Sequence, residues 1–273
     1  MRQWGRAPLP SQPWVGRVRS AAEFLLPFLI LAGAWELLVR VGLVSSPAFP
    51  APSAILFKLW TMVTGRGVLW RHLAGSLYRL IVGYTLSAVI GILLGTLLAM
   101  QRTLRDMFAP ILSLLISVPT IAWVPVFLIV FGLGDRTVIM AIFLGGFFAI
   151  TYNTIRGIEM VDGNLIRAAR IMGASGPRLF ATVLLPGALV SILTGLRLGI
   201  GYAWRALVGG EMLAAMINWG IGKMIYQARF WNDVAVMFVG LMVIGVTGLA
   251  LDRGLFQWLE RATVEKWGML KGR

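Results

Sequence analysis

Long apolar runs alternate along the chain with short segments rich in arginine, glycine and proline. Six runs, at roughly 22–42, 80–100, 110–132, 136–155, 190–212 and 233–252, are near the 20 or so residues a helix needs to cross about 30 Å of hydrocarbon. The pattern predicts an all-α polytopic membrane protein with six transmembrane helices. The third run, PILSLLISVPTIAWVPVFLIVFGLG, is interrupted by Pro119 and Pro125, each of which removes a backbone donor. A broken helix in lipid is tolerated only where protein or a cavity satisfies the freed groups. This span is therefore expected to face other helices or a pathway, with Pro119 and Trp123 as candidate pathway residues. The segment 53–79, with Trp60, Trp70 and His72, is amphipathic and predicted to lie along the outer interface. There His72 reads as an interface residue rather than a ligand.

Charge orients the spans. With a cytosolic N-terminus, the inside segments hold fifteen Lys and Arg, the outside segments seven, and the spans three. Basic residues favour the cytosolic side, so both termini are expected in the cytoplasm. The segment between spans four and five falls on the same side. The expected organisation is a cytosolic segment over 1–20, a transmembrane domain over 21–255 and a cytosolic tail over 256–273. Arg2, Arg6, Arg17 and Arg19 precede a first run too long for a signal peptide and without a small-x-small exit, so an uncleaved first helix is expected.

Composition narrows the chemistry. Hydrophobic residues make up 58% and charged residues 13%, against about 25% charged in a soluble domain. The net charge of +14 is read as a membrane topology signal, because no polar domain is long enough for nucleic-acid binding. The chain holds no cysteine and one histidine, which excludes thiol chemistry and histidine-cluster metal sites. GIGKM at 220–224 lacks the glycine spacing and the Ser/Thr of a phosphate-binding loop. No cofactor is expected on this chain, and no catalytic acid pair is present.

Charges inside spans are functional candidates by default. Glu36 and Arg40 stand four apart and predict a mutual ion pair. Arg197, Gly201 and Arg205 share one face of the fifth span. Arg197 can snorkel to the cytosolic interface. Arg205 is about mid-span, where burial costs at least about 2.5 kcal/mol, so it needs a cross-helix partner, water or an anion. Glu211, six residues on, lies off that face. Arg205, Gly201 and Glu211 complete the set of candidate pathway residues.

Between spans four and five, Asp162 is positioned to cap a short helix, NLIRAARIMGAS, which Gly173 and Gly176-Pro177 end. RLFATVLL predicts a second short helix, and Pro186 leads into span five. The hairpin, 161–186, is too polar to cross lipid and too apolar to float free, so it calls for a cytosolic protein partner.

RAARIMGASGPRLFATVLLPGAL resembles the EAA loop of ABC importer permeases, matching Ala168, Ala169, Gly173, Leu185 and Pro186 in type and spacing. It departs from the pattern at Arg167, where the family has Glu, and at Val190, where relatives often have a second Pro. VPTIAWVPVFLIVFGLGD, GFFAITYNTIRGIEMVD and LPGALVSILTGLRLGIGYAWRALVGGEML extend the similarity over roughly 50–255, toward the nitrate, sulfonate, taurine and bicarbonate subgroup. The resemblance implies a type I importer permease (MetI-like) fold in the bacterial inner membrane and a permease homodimer in lipid. It also implies a separate ABC ATPase subunit that binds the ATP, a periplasmic or lipid-anchored solute-binding protein, and a small anionic solute. It assigns Arg167, Ala168, Ala169, Gly173, Ala174, Leu185 and Pro186 to coupling with the ATPase. A secondary carrier or channel is the alternative, and neither inverted repeats nor midspan acid relays mark one.

Overall fold

The computed structural model describes residues 13–43, 48–65, 67–214 and 217–256, with side chains described from Leu26 to Gly254. Positions 1–12 of the expected N-terminal segment and the expected C-terminal tail past Phe256 lie outside the described residues. The described residues are helical, with no strand among them. Two units, Met1–Trp60 and Thr61–Arg273, are compact in themselves.

In the first unit, α1 (Pro13–Arg40) covers the expected first span. Leu26, Phe28, Leu29, Ile30 and Leu31 are all exposed, a helix apolar all round, as lipid requires. The expected Glu36–Arg40 pair forms, at 2.8 Å. Glu36 also accepts from the Ser53 hydroxyl at 2.7 Å and the Ser53 N–H at 3.0 Å. Ser53 lies in the first turn of α2 (Pro52–Thr64), so Glu36 ties that turn back to α1.

In the second unit, α3 (Val68–Met100), α6 (Asp135–Glu159) and α9 (Leu185–Leu213) form the core, with α6 in the middle packing most extensively on the other two. Small residues set these contacts. On α3, Gly83, Ser87, Gly91 and Gly95 recur every four residues and face Ile142, Gly146, Ile150 and Thr154 of α6. A Cβ on Gly95 would stand 2.7 Å from Thr154 Cβ, so the backbones approach as closely as glycine permits. Gly195 and Gly199 of α9 meet Asn153 and Ile150 in the same way.

Three expectations are corrected. The second span begins at Val68, not near 80. Gly67, at φ +65°, supplies the left-handed turn before it. Residues 68–79, expected on the outer interface, are its first turns because His72, Ser76 and Arg79 share a face that is buried and hydrogen-bonded. The third run is a sharply bent pair rather than one continuous helix. α4 (Arg102–Ser117), a 3₁₀ turn (Thr120–Trp123) and α5 (Val124–Phe131) form a pair bent by 95°. The break falls at Pro119, which is extended, while Pro125 sits in the first turn of α5, where its missing N–H costs nothing. The fifth span does not start near 190: Gly176–Leu213 is one helical run of 38 residues. It passes from α8 (Gly176–Leu179) through a π turn (Phe180–Leu184) into α9. Pro186 cannot donate to Thr182, and the π turn, with Leu185 N–H bonding Phe180 O, absorbs the defect.

α10 (Ile221–Phe230) and α11 (Val234–Ala250) complete the second unit, followed by a π turn (Leu251–Phe256). Among the described residues, four helices are long and apolar enough to cross a membrane, or five if the bent pair is one span.

Candidate functional site

α7 (Gly163–Ile171) is built as the sequence predicts. The Asp162 carboxylate accepts the Asn164 N–H at 2.8 Å, capping the helix start. At the other end Gly173, at φ +83°, takes the left-handed position. The Ala174 N–H bonds Ala169 O at 2.9 Å and the Gly173 N–H bonds Arg170 O at 3.0 Å. That pair of bonds is the Schellman stop, in which a glycine turns the chain and satisfies the last carbonyls.

The hairpin has two faces. Ala169, Leu179, Phe180 and Val183 turn inward, and the last two pack on Ile158, Val161, Leu184, Ala188 and Ile192. Leu165, Ala168, Ile171 and Met172 face out, with Ile171 87% and Met172 79% exposed. Arg167 is exposed and donates to Asn164 Oδ1 at 2.7 Å. The hairpin therefore presents an apolar tip ringed by Arg167, Arg170 and Arg178. Leu185 and Pro186 lie behind the tip, half-buried in the first turn of α9. Ala99, Arg102, Arg105, Glu159 and Arg170 line one cavity beside it, of about 490 Å³. Of the segments expected on the cytosolic side, those around Arg102–Arg105 and Glu159–Arg170 thus meet beside the hairpin. Arg105 and Glu159 join there in a 2.5 Å ion pair.

The candidate pathway residues do not converge. Gly201 and Arg205 line a cavity of about 380 Å³ with Arg197, Tyr202, Trp204 and Asp252. Arg197 is paired with Asp252 at 2.8 Å. The exposed Arg205 guanidinium lies over the Tyr202 ring, 5.6 Å from its centre, and among the described residues it makes no ion pair. Trp204 Nε1, adjacent to this cavity, is buried without an acceptor. Trp123 stacks on Phe127 and likewise buries an unpartnered Nε1. Pro119 marks the bend. A cavity of about 260 Å³ in the angle of the bend is lined by Thr120, Tyr152, Asn153 and Tyr202.

Glu211 lies apart from all of these, 1% exposed at the far end of α9. It accepts from Arg79 Nη1 at 2.7 Å, from the Ser76 hydroxyl at 2.8 Å and from the Gly222 N–H at 2.9 Å. Arg79, 3% exposed, also donates through Nε to Asp135 at 2.7 Å. The Ile221 N–H donates to Ser76, and His72, 6% exposed, hydrogen-bonds the Gly220 backbone. This buried knot binds the start of α10 to α3 and α9. Sequence reading placed Arg79 among outer loop charges and His72 on the interface. The signal that could have found the knot was the spacing of His72, Ser76 and Arg79, four and three residues apart on one helix face.

The family of binding-protein-dependent transport system inner membrane components matches residues 87–264. The chain belongs to this family. The permease is 34% identical to the taurine transport system permease protein TauC of Escherichia coli over 238 residues, 86% of each chain. It is 33% identical to the bicarbonate transport system permease protein CmpB of Synechocystis sp., over 85% of this chain and 84% of that one. Two structures of the MetNI methionine ABC transporter in inward-facing conformations share its fold, with TM-scores of 0.63 and 0.64 at 21% and 22% identity. The alignments cover 72% and 73% of the permease and 97% and 99% of those chains. The all-α, MetI-like permease fold expected from the EAA resemblance is thereby established. So are its character as an ABC transporter permease and its place as an inner membrane component.

Proposed function

We propose that the permease forms the transmembrane path of an ABC importer for a small anion of the sulfonate or bicarbonate kind. A separate ATPase subunit docks on the 161–186 hairpin and a solute-binding protein delivers from the opposite face. The observation that carries the reading is the two-faced hairpin. Its inner face is locked to α6 and α9, and its exposed tip of Leu165, Ala168, Ile171 and Met172 has the apolar character of a protein contact. Arg167, Ala168, Gly173 and Ala174 then belong to the coupling surface, with both chain termini on the same, cytosolic, side. ATP is bound and hydrolysed by the partner.

The anionic solute rests on Arg205 and on the relatives that carry taurine and bicarbonate. A guanidinium without an ion pair on an exposed helix face is costly against lipid. Facing a second permease copy across a water-filled path, it would be solvated and would attract anions. The test is co-purification. Ile171→Asp with Met172→Asp should preserve expression and membrane insertion of the permease while losing the cognate ATPase. Stoichiometric ATPase and normal uptake in that variant would overturn the assignment.

A further inference from the structure

The end of α3, α6 and α9 opposite the hairpin opens into a cavity of about 730 Å³, bordered by Arg71, Tyr78, Arg79, Arg136, Asn218 and Trp219. Its charges fall into two groups. Arg79, Asp135 and Glu211 are spent on one another in the knot and sum to one negative charge. Arg71 and Arg136 are exposed and make no ion pair among the described residues. The Arg71 guanidinium lies over the Trp219 ring, 5.5 Å from its centre, an arrangement that fixes the cation while leaving its N–H edge free. Gly134, at the start of α6, also borders the cavity, and no side chain caps the N–H groups of that helix end. A helix N-terminus of this kind adds partial positive charge.

We propose that this cavity is a receiving site for a small oxyanion, a sulfonate or carboxylate, held by Arg71 and Arg136. The knot beneath keeps the floor rigid, and Trp219 covers the stem of the solute. Arg79 offsets one of the knot's two carboxylates, and Arg71 with Arg136 outweighs the remaining one. The site deepens the importer reading and rests on it. It is distinct from the Arg205 cavity, with which it shares no lining residue.

The test uses the permease–ATPase complex in nanodiscs without ATP. The signal is the Trp219 fluorescence, taken as wild type minus Trp219→Phe. Iodide and caesium are the probes, each normalised to free N-acetyltryptophanamide. At low salt the normalised iodide quenching should exceed that of caesium by about threefold, since a cationic cleft concentrates anions. Ethanesulfonate, which does not quench, should protect against iodide. Arg136→Gln should abolish the preference and Arg136→Lys should retain it. The Arg136 pair can be read on total tryptophan emission if Trp219→Phe fails to assemble. Equal normalised quenching by iodide and caesium, or no protection by ethanesulfonate, would overturn the site. So would protection found only in discs containing phosphatidylglycerol, because the occupant would then be a lipid headgroup. Because the reading needs no turnover, its failure leaves the importer reading standing, while failure of ATPase docking would be seen in the assembly of the complex before any quenching is read.

Discussion

Arg79 and Arg167 both look, in sequence, like basic residues on amphipathic helix, yet the two ends of the permease use them oppositely. Arg79 is buried, with Nε and Nη1 both engaged by carboxylates from other helices. Arg167 is exposed and held only by Asn164, three residues away on its own helix. One end is a closed polar knot that fixes four helices, α3, α6, α9 and α10, to one another. The other is a capped hairpin whose polar groups are satisfied locally and whose apolar tip is left uncovered. A charge buried in such a knot is coupled to its partners, whereas an exposed one on a self-sufficient helix is free to vary with whatever docks there.

The largest expected effect breaks the knot. Arg79→Ala leaves Glu211 buried without its counterion and should cost about 3–5 kcal/mol, read as thermal unfolding of the purified protein. Arg79→Ala with Glu211→Ala should recover part of that loss, since residues in one network are not additive; strictly additive losses would show that the knot is no unit. A smaller effect is expected at the hairpin. Asp162→Ala should cost about 1 kcal/mol, confined to α7 and visible as faster amide exchange there with the global melting point nearly unchanged. The smallest is Arg167→Glu, which should change stability by less than about 0.5 kcal/mol. It should nevertheless alter the affinity for the cognate ATPase in a binding titration. An unchanged affinity would remove Arg167 from the coupling surface.

Local features were legible in the sequence, and long-range ones were not. The Asp162 cap and the Gly173 stop are set by residues within a few positions of one another, and both stand where the pattern put them. The Glu36–Arg40 pair is local too. By contrast, the partners of Arg79 lie 56 and 132 residues away, so no window of sequence could show that its charge is matched. Hydropathy alone therefore set the start of α3 about three turns too late. The 95° bend needed the packing around Pro119 to be known, since one proline permits either a kink or a break. Pro186 misled in the other direction, because a π turn can carry a helix through a proline.

That π turn has a mechanical consequence. Gly176–Leu213 is a strut of about 57 Å at 1.5 Å per residue, with the docking hairpin joined to one end and Glu211 two residues from the other. Force applied at Gly176 has no loop in which to dissipate before it reaches the residue that anchors α10 and the floor of the far cavity. Along the strut the hydrogen-bond pattern changes from α to π at Phe180–Leu184, one turn from the load. In the proposed importer, stiffening or loosening those five residues would set how much of each stroke arrives.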